Sequence, residues 1–220
     1  MNIAVLGTGT VGETIGSALL AKGHTVMMGS RDANNPKAAA WVKKNGQLAR
    51  QGSFAQAAAF GELIINATKG EHSLNALSLA GEHHLNGKIL IDISNPLDTS
   101  HGMPPSLIPA LSNTNSLGEE IQKCFPQLKV VKTLNTMWCG LMVNPDLIGE
   151  GDHLNFICGN DAAAKNMVKN FLIENFGWKE RNLLDLGGIT CARGTESYLH
   201  LWLRVYMATN NGAFNFQLVH

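Results

Sequence analysis

The sequence predicts an α/β fold: a doubly wound, mostly parallel sheet with a small C-terminal α/β extension. Three observations carry this. Apolar runs of strand length alternate with helix-length stretches almost to the end of the chain. Two of those runs, "ELIINAT" and "KILIDIS", are apolar enough to be buried on both faces, as parallel strands are. Cap and turn residues separate the runs, and parallel strands need the crossovers that the intervening stretches provide.

The elements follow in order. "NIAVLG" is the first strand, and Glu13 to Lys22 forms an amphipathic helix closed by Gly23. "HTVMMG" is the second strand. Asn35-Pro36 opens a helix that Asn45-Gly46 closes, because proline suits the first helical turn. A short strand near Leu48 precedes "SFAQAAAF", where Ser53 is the expected N-cap. "ELIINAT" and "KILIDIS" come next, and "LKVVKTLN" is a less continuous strand interrupted by Lys129 and Lys132. Asn95 to Pro109, with four prolines, is one long irregular loop. After residue 150 come "HLNFICG", a helix from Asp161 to about Phe176, "ERNLLDLG", and a helical stretch from Thr190 to Thr209. Residues 1–150 are expected to form the main domain, with 151–220 an extension packed on it for dimerisation.

Composition narrows the function classes. Seventeen basic side chains meet seventeen acidic ones, so no polyanion footprint points to nucleic acid or an acidic membrane. No apolar run approaches the roughly 20 residues that span a bilayer. Met1 leads straight into a strand, so no signal peptide is expected. Cys124, Cys139, Cys158 and Cys191 are scattered without ligand spacing, and His83-His84 is not a zinc motif. Reduced thiols, a cytoplasmic setting and no metal are expected.

"GTGTVG" places Gly7, Gly9 and Gly12 in G-x-G-x-x-G register between the first strand and the first helix. The string alone is weak; its placement makes it a dinucleotide-binding, Rossmann-type turn. Gly7 permits the tight turn and Gly9 admits a pyrophosphate to the backbone. Gly16, one turn on, is read as letting the helix lie close to the sheet. Ser30 falls 18 residues after Gly12, where an acidic residue usually holds the adenosine ribose. A carboxylate there repels a 2′-phosphate, whereas Ser30 and Arg31 favour one through a hydroxyl donor and a guanidinium. Lys37 adds charge nearby, and Asp32 is read as a turn residue. The expected ligand is NADP(H) rather than NAD.

"GTGTVGETIG", "GHTVMMGSRD", "ILIDISNPL", "VVKTLNTM", "GNDAAAK" and "TESYLHLWLRVYM…FNFQLV" occur in an order that resembles one family. These are the small NADP-dependent oxidoreductases related to NADPH:deazaflavin (coenzyme F-420) oxidoreductase; the reductase domain of the STEAP metalloreductases is more distantly similar. The resemblance implies that Thr8, Gly9, Thr10 and Val11 hold the pyrophosphate and that Ser30 and Arg31 hold the 2′-phosphate. It also implies that Ala67, Thr68, Asn95 and Pro96 line the nicotinamide side. One departure is Thr68-Lys69-Gly70, where the deazaflavin enzyme has an apolar-proline step.

The activity implied is hydride transfer between NADPH and a flavin- or deazaflavin-like acceptor by apposed rings, with the acceptor as second substrate. Thr68, Lys69 and His72 are the only candidates for acid-base roles, each better suited to binding or loop ordering. The alternatives are an NADP(H) sensor without turnover and a reductase of a small carbonyl or imine. A β-hydroxyacid dehydrogenase would need Lys-x-x-x-Asn, and here Lys169 stands four after Lys165. In the last helix Arg193, Glu196, His200 and Arg204 form a narrow polar stripe on an otherwise apolar surface. A homodimer that buries Trp202 or a near neighbour, with the polar stripe facing solvent or the cofactor cleft, is expected. The competing outcome is that "FNFQLV" folds back over the helix.

Overall fold

A computed structural model describes residues 1–219 of the 220-residue chain. The order is β1 (Asn2–Leu6), α1 (Thr10–Ala21), β2 (Thr25–Ser30), α2 (Pro36–Asn45), β3 (Ala49–Ser53), α3 (Phe54–Phe60) and β4 (Leu63–Asn66). There follow α4 (Gly70–Ala80), α5 (Glu82–Leu85), β5 (Ile89–Asp92), β6 (Leu97–Asp98), β7 (Ser106–Leu107), α6 (Leu117–Cys124) and β8 (Lys129–Thr133). The chain then forms α7 (Cys139–Val143), β9 (Asn155–Gly159), α8 (Ala162–Phe176), β10 (Leu183–Asp185) and α9 (Ala192–Thr209).

Eight strands form one sheet in the order β10-β9-β8-β5-β4-β1-β2-β3. From β1 the chain winds outward through β2 and β3, then returns to β4 and winds the other way. The sheet therefore has its switch point between β1 and β4. Six strands are parallel; β9 runs antiparallel to β8 and carries β10 with it. β9 and β10 thus extend the same sheet beyond residue 150.

Side chains alternate between two cores because strand residues point to opposite faces. Ile3, Val5, Leu63, Ile65, Ile91 and Val131 pack with Ile15, Leu19, Trp41, Val168 and Phe171 on one face. Ala4, Leu6, Ile64, Leu90 and Val130 pack with Ala57, Leu77, Leu117, Ile121 and Ala192 on the other. The helix ends obey local chemistry. Asn35 accepts from Lys37 and Ala38 backbone N–H groups at the start of α2, and Ser53 forms a capping box with Gln56.

Several expectations change. α1 begins at Thr10, a turn earlier than amphipathicity alone indicates, with Gly9 at its N-cap. Gly16 does not serve the sheet: a Cβ there would sit 2.8 Å from the Trp41 indole of α2, so the glycine seats that ring. The long loop contains a two-strand pair, with β6 antiparallel to β7.

The polar stripe of α9 does not face solvent as a unit. Glu196 is buried, and Arg193 pairs with Glu119 of α6 at 2.6 Å, while His200 and Arg204 are exposed. The closing segment folds back over part of the helix. Phe214 stacks on Trp202 with ring centroids 5.3 Å apart, and Phe216 meets Tyr198 edge-on at 5.4 Å. Leu154 N–H donates to the Phe216 carbonyl, and Asn215 bonds both Leu154 and the buried His153. Leu201, Tyr206, Met207, Leu218 and Val219 remain exposed.

Candidate functional site

Parallel strands end on the same edge, so the carboxyl ends of β1, β2, β4 and β5 meet around the switch point. Gly7 makes the turn out of β1 at φ +122°, and a Cβ there would lie 2.5 Å from the Ala67 carbonyl oxygen. Only glycine fits. Gly9 is different: its φ is ordinary and a Cβ would meet no protein atom within 4 Å. Packing within the protein gives no reason for glycine at that position. α1 starts from it with no side-chain cap, leaving first-turn N–H groups facing outward. Gly12 is buried in the first turn of the helix.

Three cavities share this turn. The first, about 390 Å³, is lined by Gly9–Val11, Ala67–Glu71, Ile93–Asn95, Leu97 and Thr99. The second, about 410 Å³, lies across Thr68 and holds Gly7–Gly9, Ser30, Arg31, Asn35, Ala67–Lys69 and His72. The third, about 580 Å³, gathers Thr8–Thr10, Lys37, Trp41 and Lys44. Lys37 therefore stands in a neighbouring cavity, sharing Thr8 and Gly9 with the Ser30-Arg31 side. Pro96 is buried and packs against Gly70 at the start of α4.

Ser30 is buried and its Oγ donates to the Asp32 carbonyl at 2.5 Å, while Asp32 accepts from Asn34 N–H. The serine proton is thus used in shaping the turn, and the exposed Arg31 carries the free charge beside it. Lys69 and His72 lie on the rim with exposed side chains. Each sits near Glu71, at 3.9 and 3.7 Å.

The polar groups on the floor of the first cavity are turned inward. Thr68 Oγ1 donates to Asn66 Oδ1 at 2.7 Å, Ser94 Oγ donates to Asp92 at 2.6 Å, and Asn95 is tied to Asn135 through both its nitrogen and its oxygen. Behind them Lys132 is fully buried between Asp92 and Glu196, at 2.8 Å from each. Burial works to lower the lysine pKa, but Asp92 and then Glu196 outweigh it and hold the ammonium above its usual range. Burial pushes the Glu196 carboxyl up, opposed by Lys132. From sequence, Lys132 reads as an interruption of a strand and Glu196 as part of a polar stripe facing solvent or the cofactor cleft. The available signal was that "ELIIN", "ILID" and "VVK" each end an apolar strand on a polar residue.

The fold recurs in known proteins. A family model described as NADP oxidoreductase, coenzyme F420-dependent, matches residues 2–96. A crystal structure of a proposed F420-dependent NADP-reductase from Arthrobacter sp. FB24 is 48% identical, covers 99% of each chain and superposes with a TM-score of 0.91. The chain belongs to this family of NADP-dependent oxidoreductases. The oxidoreductase is also 30% identical over 197 residues to Metalloreductase STEAP3 of Rattus norvegicus, covering 89% of this chain but 36% of that protein. It thus spans about a third of that relative's length. A Streptomyces aurantiacus imine reductase, 18% identical with a TM-score of 0.63 over 94% of this chain and 62% of that one, shares the fold. Among the described residues no helix is long and apolar enough to cross a membrane.

Proposed function

We propose that this oxidoreductase passes a hydride between NADPH and a flavin- or deazaflavin-like acceptor, with the two rings apposed in the first cavity. The cofactor lies with its pyrophosphate against Thr8–Gly12, its 2′-phosphate beside Ser30 and Arg31, and its nicotinamide beside Ala67, Thr68 and the Asn95-Pro96 turn. Lys37 adds charge from the adjoining cavity. Gly9 supports the pyrophosphate position, since neither backbone nor packing asks for glycine there.

The observation that carries the choice of acceptor is the inward direction of the protons of Thr68 and Ser94. Hydride addition to a carbonyl must be matched by a proton on oxygen, which a side chain within hydrogen-bond reach supplies. Apposed rings need positioning and a dry slot instead. Val11, Ala67, Ile93 and Leu97 give that slot an apolar lining. Lys69 and His72 are on the exposed rim and are assigned to loop ordering or to an anionic part of a ligand.

Steady-state NADPH oxidation with flavins, a deazaflavin, quinones and small imines tests the reading. Turnover of the flavin or deazaflavin is expected. Binding without turnover of any acceptor would make the protein a sensor, and turnover of the imines alone would make it an imine reductase. Replacing Thr68, Lys69 or His72 singly by Ala is expected to slow turnover less than about 100-fold, the lower range for a lost general acid. A larger loss at His72 with NADPH affinity unchanged would overturn the assignment.

The same reading includes a homodimer formed through α9 and the segment after it, with residues 151–220 as the dimerisation extension. The exposed Leu201, Tyr206, Met207, Leu218 and Val219 support it, since apolar side chains gathered in one region mark association surfaces. A cytoplasmic location fits the unpaired cysteines.

A further inference from the structure

Asn66, Asp92 and Lys132 are direct neighbours across three parallel strands. Asn66 pairs with Asp92 between β4 and β5, and Asp92 with Lys132 between β5 and β8. All three side chains lie on the face where α6 and α9 pack, because Ile64, Leu90 and Val130, each two residues earlier, belong to that core. Glu196 enters this row from α9. It accepts from Lys132 and from the Leu117 and Gly118 N–H groups at the start of α6, at 2.8 and 3.0 Å. The row continues to the cavity wall: Asn66 donates to Asp92 at 2.9 Å and accepts from the Thr68 hydroxyl.

From Asp92 outward, each link sets the direction of the next. The Lys132 ammonium has three N–H groups, and they face Asp92, Glu196 and the Ser94 carbonyl. Asp92 accepts from Lys132, Asn66 and Ser94. The Asn66 amide must therefore turn its NH₂ toward Asp92, which aims its oxygen at Thr68. Thr68 Oγ1 then donates to that oxygen, and Ser73 Oγ, which also accepts from the Asn66 amide, lies 2.8 Å from Thr68 Oγ1. Thr68 lines both the first and second cavities. A carboxylate on the C-terminal helix is thus joined through Lys132, Asp92 and Asn66 to a hydroxyl between two cavities at the switch point.

We propose that Glu196 and Lys132 are positioning residues for the nicotinamide half of the cofactor, acting through Asp92, Asn66 and Thr68. This rests on the NADPH reading above. Glu196→Gln replaces one acceptor by an NH₂ that must face either Lys132 together with the Gly118 N–H, or the Leu117 N–H. That sets donor against donor and frees the row to reorient.

The test compares NADPH with adenosine 2′,5′-bisphosphate, which carries the adenosine and 2′-phosphate but no nicotinamide. Glu196→Gln is expected to weaken NADPH on the order of tenfold and leave the bisphosphate within about twofold. Arg193→Met, which removes another α9–α6 contact without touching Lys132, is expected to leave both within about twofold. Thr68→Val breaks only the last link and is expected to reproduce the selective loss of NADPH affinity. Combined with Glu196→Gln it should add little, since the two act in series. Equal losses for both ligands, additive effects in the double variant, or NADPH affinity unchanged in either single variant would overturn the proposal. If Glu196→Gln does not fold, Thr68→Val alone decides, an unchanged affinity counting against it. An unmodified protein that binds neither ligand would instead sink the cofactor reading, and one that binds NADPH but reduces no flavin would sink only the choice of acceptor.

Discussion

Ser30 ends β2 and Arg31 follows it, at the place where we propose the 2′-phosphate of the cofactor lies. Because the Ser30 proton is used on Asp32, discrimination falls mainly to the exposed guanidinium. A charge-assisted bond to the 2′-phosphate contributes about 1.5–3 kcal/mol. NADPH is therefore expected to bind at least about tenfold more tightly than NADH. Arg31→Asp should erase or invert that ratio in a fluorescence titration, and equal affinities in the unmodified protein would refute the assignment. Cys158 offers a second residue-scale test. Burial pushes its thiol pKa up to about 12, against a weaker opposing pull from Lys132. The thiolate that reacts with disulfide reagents is then scarce near neutral pH. Exposed Cys124 should label in the native protein, and Cys158 only after unfolding. Rapid native labelling of Cys158 would show the burial to be wrong.

At the scale of elements, α9 is fastened to α6 by Arg193 on Glu119 and by Glu196 on the α6 N-terminus. The Arg193 hydrogen bonds hold the Glu119 carboxyl below its usual range, with Ser116 adding to them against the cost of burial. A carboxyl whose folded pKa is depressed contributes stability above its unfolded pKa. That stability is lost as pH falls through the folded value. Melting temperature should thus decline as pH drops below the ordinary glutamate range, and Arg193→Met should remove part of the decline. Identical acid limbs for the two proteins would contradict the pairing. Lys132 is the stronger structural element. Lys132→Met leaves Asp92 and Glu196 buried without their cation, and loss of one partner of a buried pair costs about 3–5 kcal/mol. Chemical denaturation should show a loss of that order. A change under about 1 kcal/mol, the scale of a surface pair, would mean that the row is hydrated.

For the whole molecule, the open question of assembly turns on the surface around α9. The closing segment covers Trp202 and Tyr198 but leaves Leu201, Tyr206 and Met207 in water, with Leu218 and Val219 beyond. Burial of such a surface against a second copy removes apolar area from solvent at about 25 cal/mol per Å². Light scattering on dilute protein is expected to give a dimer. A stable species at the 23.7 kDa of one chain would refute it.

The strands of the eight-stranded sheet, their order along the chain, the glycine turn and the place of Ser30 at the end of β2 could be read from residues alone. Each rests on a local pattern: a continuous apolar run, a cap, a turn, a fixed spacing after a motif. Even the caps at Asn35, Ser53 and Asp161 lie where their side chains indicate. What tertiary structure decided is which polar residues are inside. Lys132 and Glu196 are 64 positions apart, on a strand and a helix, and look like an interruption and a solvated face until the sheet stacks Asn66, Asp92 and Lys132 side by side. The role of Gly16 changed for the same reason, since its neighbour Trp41 comes from another helix. Local sequence sets backbone conformation, whereas the partner of a buried charge or a missing side chain is chosen by contacts between segments far apart in the chain.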